Sequence, residues 1–339
     1  MKKDYKISFI RSLAFASIIS CHILQGLGNP AAFWVNVGVQ VFFFISGFLY
    51  GQKKIEDPKI FYKKRLLKIL LPTSLLVFLV FIIEGLILRA RSYNIFSLVG
   101  SLVGLGGFSA MASPILSNLW FVSYILLCYL MLPFLQQIFI KNGEFKRNVK
   151  ILIILMGIIQ ILSSYHVISI NPAWINNFIV AYFFGRYSND EKRANVMSIS
   201  FLILTLAMLP LAIILQEKLN IWLPGQIQKH AYFFIDYGHV LLGCSIFIVL
   251  YRLLPKINRP WIAKILDLID SYSFFIYLVH QIFILGGASL LFITKNSFIN
   301  VTVILIASII SGYLLKLLTG LVFRLAEKLI KNLPIKNPQ

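Results

Sequence analysis

Apolar positions in this chain come in long unbroken runs separated by short polar connections, with neither the strict alternation of strands nor one-sided amphipathic periodicity. Runs near 8–28, 32–51, 69–90, 118–140, 151–168, 174–187, 196–215, 232–253, 271–294 and 297–320 reach or approach the roughly 20 residues that cross a hydrocarbon core. The sixth is the shortest. An amphipathic stretch at 93–112 reads as a re-entrant or interfacial element. The pattern predicts an all-α, polytopic integral membrane bundle of about ten transmembrane helices. It forms a single membrane domain over 1–339 with no separate soluble domain, because the polar connections are short.

Composition agrees. Of 339 residues, 59% are hydrophobic and 13% charged, more apolar surface than a soluble domain of this length buries. The net charge of +20 raises nucleic acid as a partner, and the placement of the charges rejects it. Threading the runs from a cytoplasmic amino terminus puts 27 of the 32 Lys and Arg inside and five outside. Such a bias orients membrane helices and contacts anionic lipid headgroups. An even number of crossings then leaves both termini cytoplasmic in a multi-pass cell-membrane protein, a bacterial plasma membrane being the expected setting. The first run lacks a small-residue cleavage pattern, so it reads as a retained helix. Cys21, Cys128 and Cys244 are isolated in apolar runs, giving neither a disulfide framework nor metal-ligand spacing.

The polar residues inside the runs carry the chemistry. Arg11 and His22 are eleven residues apart, close to three helical turns, so both point from one face, roughly 16 Å apart along the axis. Ionisable groups in a spanning helix are costly unless they meet a cavity or a partner. His22 suits a general base at working pH, and Arg11 suits an anion or polarised carbonyl near the cytoplasmic interface. In the second run Gln40 shares a face with Asn36, while Ser46 and Gly47 permit close approach of either a helix or a cofactor. Lys63, Lys64, Arg65 and Lys68 form a cationic cluster entering the third run, suited to a phosphorylated cofactor or to lipid headgroups. Toward the outer side lie Asn118, Trp120 and Tyr124, together with Asp236 and His239, three apart on one helix face. Tyr277 and His280 are spaced likewise near mid-membrane, and Glu84 is a further buried carboxylate candidate beside Arg89.

Five segments in order carry a family resemblance: R-S-L-A-F-A-S-I-I-S-C-H, G-V-Q-V-F-F-F-I-S-G-F, F-Y-K-K-R-L-L-K-I-L-L-P, N-L-W-F-V and S-Y-S-F-F-I-Y-L-V-H. Together they resemble the acyltransferase 3 family of integral membrane O-acyltransferases. The resemblance implies a fold of roughly ten helices and transfer of an acyl group, commonly acetyl from acetyl-CoA, to hydroxyls of cell-envelope or secreted glycans. It makes the arginine and histidine of the first helix, here Arg11 and His22, essential. Two positions depart from the family pattern: Gln40 stands where an acidic residue is common, and Asn118 where histidine is common. Both keep hydrogen-bonding capacity and lose ionisability.

The expected function is therefore O-acetyl transfer to a capsular, exopolysaccharide or other cell-envelope glycan, free or lipid-linked, alone or beside polysaccharide synthesis or export machinery. Arg11, Lys64, Arg65, Lys68, Ser46 and Gly47 are the donor-binding candidates. Gln40, Asn118, Trp120, Tyr124, Asp236, His239, Tyr277 and His280 are the acceptor candidates, and no metal is expected. The alternative of a different class is a transporter or flippase for a glycan or lipid-linked precursor. Against it, no inverted repeat or pair of matched broken helices is evident.

Overall fold

Each apolar run of the sequence contributes a helix in the computed structural model, which describes residues 3–87, 95–108, 114–141, 144–165, 170–222, 225–286 and 288–332. The helices are α1 (Tyr5–Gly26), α2 (Ala32–Val35), α3 (Val37–Gly51), α4 (Pro58–Phe81), α5 (Ile95–Leu102) and α6 (Trp120–Lys141). They continue with α7 (Phe145–Ser164), α8 (Pro172–Tyr187), α9 (Glu191–Trp222), α10 (Gly225–Leu253), α11 (Pro260–Ile284) and α12 (Ser297–Asn332). A π-helical turn, Ile82–Ile87, follows α4, and short 3₁₀ turns cover Gly106–Phe108 and Pro114–Leu119. No strand occurs among the described residues. Among the described residues seven helical segments are long and apolar enough to cross a membrane by length and composition, which makes this a multi-pass membrane protein.

Local chemistry sets several helix ends. The Asp4 carboxylate accepts from the Lys6 amide at 3.0 Å and caps α1. Asn171 does the same for α8 through the Ala173 amide, with Pro172 in the first turn, where a missing N–H costs nothing. The run at 32–51 is interrupted at Asn36, one residue after a carbonyl, that of Val35, which accepts from the Ser17 hydroxyl. The run expected to end at 294 leaves the helix at Ile284, where Gly286 and Ser289 form a turn. The 93–112 stretch holds α5, a turn at 103–105 and a 3₁₀ turn, while 93–94 and 109–112 lie outside the described residues, as does Arg89.

The chain divides into two compact units. The first comprises Met1–Lys63 and Tyr124–Asp270, the second Lys64–Ser123 and Ser271–Gln339. In the first unit α3 is central, packed on α1, α8 and α10. A Cβ at Gly47 would collide with the Phe178 carbonyl, one at Gly51 with that of Tyr182, and one at Gly185 with that of Phe48. Glycine at these three positions therefore lets the α3 and α8 backbones meet directly. Beside this seam Phe44, Phe48 and Phe247 are fully buried, with Phe247 4.9 Å from Phe44 and 5.1 Å from Phe48 between ring centroids. Such spacing suits aromatic packing. By contrast α9 turns Ile199, Ile203, Leu206 and Ile214 outward, the surface expected against lipid.

In the second unit Gly312 of α12 lies against the backbone of Ile276 on α11. The Lys316 ammonium sits 3.7 Å above the centre of the Tyr272 ring. The Ser74 hydroxyl donates to the Leu102 carbonyl at 2.5 Å, joining α4 to the end of α5.

Candidate active site

The polar residues predicted from sequence assemble into three groups in the first unit and one in the second. The most charged group surrounds Arg11. Its Nη1 donates to Asp270 Oδ1 at 2.9 Å. The other oxygen, Oδ2, accepts from Ser8 Oγ at 2.7 Å and lies 2.7 Å from the Lys3 ammonium. Lys3 also bonds Asp267 Oδ1 at 2.6 Å, and the Tyr5 hydroxyl bonds Asp267 Oδ2 at 3.2 Å. The side chains of Arg11 and Asp270 are 26% and 11% exposed, so this pair is shielded far better than an ordinary surface ion pair.

The electrostatics follow from these contacts. Burial pushes the Asp270 carboxyl up, but the charge of Arg11 and the bonds from Lys3 and Ser8 outweigh it, leaving the group below its ordinary range. The hydrogen bond from Lys3 holds Asp267 low as well. Partial burial works against the charge on Lys3, and its bonds to Asp267 and Asp270 raise its pKa nonetheless. Sequence reading did not select Asp267 or Asp270. The available signal was two carboxylates three apart just before the ninth apolar run, in a chain with only 12 acidic residues.

His22 is half-buried on the same helix, with Nδ1 3.2 Å from Gln25 Oε1. Helical geometry keeps it within about 20° of the direction of Arg11.

A second group gathers around Asn171, another residue that sequence reading passed over. Its amide donates to Asp236 Oδ2 at 2.9 Å, and its backbone N–H donates to the Tyr124 hydroxyl at 2.7 Å. Tyr124 packs edge-on against Trp174, ring centroids 4.6 Å apart. His239 stacks on Phe33 at 5.0 Å, meets the Trp34 ring edge-on at 6.0 Å and hydrogen-bonds the Trp34 backbone. Its Nε2 is buried without a hydrogen-bond partner among the described residues. Asp236 and His239, three apart on α10, thus engage different neighbours, and no hydrogen bond or ion pair joins them.

The third group is internal. The Asn177 amide donates to both the carbonyl and the side-chain oxygen of Gln40, at 2.9 and 3.1 Å, and Cys244 approaches Asn177 Oδ1 at 3.4 Å. Gln40 is buried by this contact, and Gly47 lies in the α3–α8 seam. Ser46, beside Gly47, is half-buried.

The second unit holds the remaining predicted residues. Asn118 Nδ2 donates to the Tyr277 carbonyl at 2.8 Å, and the Tyr277 hydroxyl donates back to the Asn118 carbonyl. His280 is fully buried with Nδ1 2.6 Å from the Tyr277 carbonyl, and Gln281 bonds the Ser117 hydroxyl. Phe121 meets the Tyr277 ring at 5.5 Å. Trp120 is half-buried beside Phe121, and the backbone of Gly107 closes on it. Lys64 and Lys68 are exposed on α4 and Arg65 is half-buried; Lys63 is exposed at the edge of the first unit.

Fold and composition define a helical enzyme-sized membrane protein, and a family model gives its chemistry. That model, described as an acyltransferase domain, matches residues 4–317. The chain therefore belongs to the acyltransferase 3 family, and its class is membrane acyltransferase. Nothing in the match supports the transport alternative. No curated protein matches the chain, and no solved structure matches it.

Proposed function

We propose that this protein is an O-acetyltransferase of the bacterial plasma membrane that moves acetyl from acetyl-CoA to a hydroxyl of a capsular, exopolysaccharide or other cell-envelope glycan. The observation that carries this reading is the pair on α1: a guanidinium held by Asp270 at one end and a half-buried imidazole three turns along the same face. In this scheme His22 takes the proton of the acceptor hydroxyl as its oxygen attacks the thioester carbonyl carbon. The tetrahedral intermediate collapses, the carbon–sulfur bond breaks, and the imidazolium returns its proton to the departing CoA sulfur.

The separation of roughly 16 Å assigns Arg11 to the anionic end of the donor and not to the reacting carbonyl. The pantetheine arm spans that distance, so the nucleotide stays on the cytoplasmic side, where both termini also lie in this scheme. Ser46 is the candidate beside the donor's path, whereas Gly47 is taken up by the α3–α8 seam and serves packing. The exposed Lys64 and Lys68 and the half-buried Arg65 carry positive charge of the kind that suits donor phosphates. Asp236, His239 and Tyr124, with aromatic neighbours at Phe33, Trp34 and Trp174, supply the stacking faces and hydrogen-bonding groups that suit a sugar acceptor. Gln40 holds α3 to α8 through Asn177, and in the second unit Asn118, Tyr277 and His280 brace one another, so these residues serve as supports in this scheme.

Replacing His22 by Ala, in membranes where the inserted protein is quantified, should lower acetyl transfer to the glycan by about 10²–10⁴-fold. Transfer at the wild-type rate would overturn the assignment.

A further inference from the structure

We propose that Asp270 is a positioning residue for the donor, holding the Arg11 guanidinium by one edge so that its other edge is presented to an anion. The inference rests on the proposed function, which assigns Arg11 to the donor.

The geometry is asymmetric on both sides of the pair. A guanidinium has five N–H donors in a rigid fork, and Asp270 engages it through Nη1 alone, to Oδ1. A two-pronged pair would commit a second nitrogen. Here Oδ2 is turned instead to Ser8 and Lys3. Among the described residues Asp270 is the one hydrogen-bond partner of Arg11, so Nε and Nη2 are uncommitted. Phosphate and carboxylate are the groups that fit such an open fork.

The carboxylate is itself fixed by three contacts from α1 and the residues before it, Lys3, Ser8 and Arg11, so it is not a mobile competitor for the guanidinium. Tyr5 and Lys3 extend the hold to Asp267 one turn earlier on α11. A long arginine side chain loses considerable rotamer freedom when it is ordered, and here that ordering precedes ligand binding. Removing Asp270 should therefore weaken the donor complex while leaving the reacting end of the site intact.

The test measures steady-state kinetics on purified protein in nanodiscs, with acetyl-CoA and acceptor varied separately. Asp270→Asn preserves shape and the Ser8 contact while removing the charge. It is expected to raise KM for acetyl-CoA about tenfold, with kcat within about twofold and acceptor KM unchanged. Asp270→Glu should recover part of the loss. The donor effect should be non-additive with Arg11→Ala, because Asp270 acts through that residue. Ser8→Ala, which loosens the carboxylate without altering charge, should shift donor KM in the same direction by a smaller factor, and it carries the test if Asp270→Asn inserts poorly. Unchanged donor KM in these variants, or a loss that adds fully to that of Arg11→Ala, would overturn the inference. The two readings fail separately. A wild-type protein inert toward acetyl-CoA removes the proposed function and this inference with it, whereas an active wild type with an indifferent Asp270→Asn removes the inference alone.

Discussion

Asn118 and Tyr277 each bond the backbone carbonyl of the other, the Asn118 amide to Tyr277 at 2.8 Å and the Tyr277 hydroxyl to Asn118. A reciprocal pair of this kind fixes the start of α6 against α11 without charge, and both residues are buried. The asparagine that stands here in place of the family's common histidine thus does a definable structural job. Asn118→Ala removes one of the contacts to the Tyr277 carbonyl, which keeps that of His280 Nδ1, and should cost about 0.5–1.5 kcal/mol. Thermal unfolding in detergent checks this. Combined with Tyr277→Phe, the loss should be smaller than the sum of the single losses, because the two bonds brace one contact.

Close helix approach gives a second expectation, with an internal control. Gly47→Ala places a methyl group against the Phe178 carbonyl and should destabilise the protein by about 1–3 kcal/mol through overpacking. Gly157→Ala, on α7, meets nothing within 4 Å and should be neutral or slightly stabilising, since alanine is the better helix former. Yield of monodisperse protein after solubilisation separates the two.

Asn171 serves three neighbours at once: it caps α8, donates to Asp236 and bonds Tyr124 through its backbone. Asn171→Ala should lose about 1–2 kcal/mol, the upper range for an N-cap, because Asp236 loses a donor too. Asn171→Asp keeps the cap but sets a second carboxylate against Asp236, so it should unfold at a lower temperature than Asn171→Ala at neutral pH. The order should reverse once both carboxyls are protonated.

Anchoring of the amino terminus should depend on pH in a defined direction. Asp267 and Asp270 lie below the ordinary carboxylate range, so their contribution is fully present above the unfolded value of about 3.9 and is lost as pH falls through their folded values. Lys3 is raised, so its share is complete below about 10.4 and is lost as pH rises through its folded value. Protection of the first ten residues, followed by hydrogen exchange corrected for intrinsic rates, should be flat from about pH 5 to 9 and fall at both ends. Lys3→Ala should shrink the alkaline limb to the share of the Tyr5 hydroxyl, which also bonds Asp267, and leave the acidic one.

Helix positions were legible because apolar run length is a direct physical requirement of the bilayer. Helix ends were less so. α9 runs from Glu191 to Trp222, well past its apolar stretch, because polar residues at both ends continue the same backbone ladder. The run at 32–51 gave no hint of its interruption at Asn36, since the carbonyl before it is engaged by Ser17 from another helix. In the site, the Arg11–His22 alignment follows from residue counting alone. The partner of Arg11 does not, because Asp270 is 259 residues away. The i,i+3 spacing of Asp236 and His239 suggested a pair, yet Asn171 provides the nearer donor for the carboxylate, and the imidazole stacks on Phe33. Asn171 itself was readable as a helix start from the Asn-Pro step, but its bond to Asp236 was not.

That long-range tie sets an order on biosynthesis. α1 leaves the ribosome well before α11: Asp267 and Asp270 follow some 260 residues later, about 13–50 s at ordinary elongation rates. Throughout that interval Lys3 and Arg11 have no carboxylate from α11 to meet, and the lipid headgroups are their available anions. Closure of the network is therefore a late step of assembly: Arg11 meets its carboxylate only after the first part of α11 has been made, and a product truncated before Asp270 cannot form the pair.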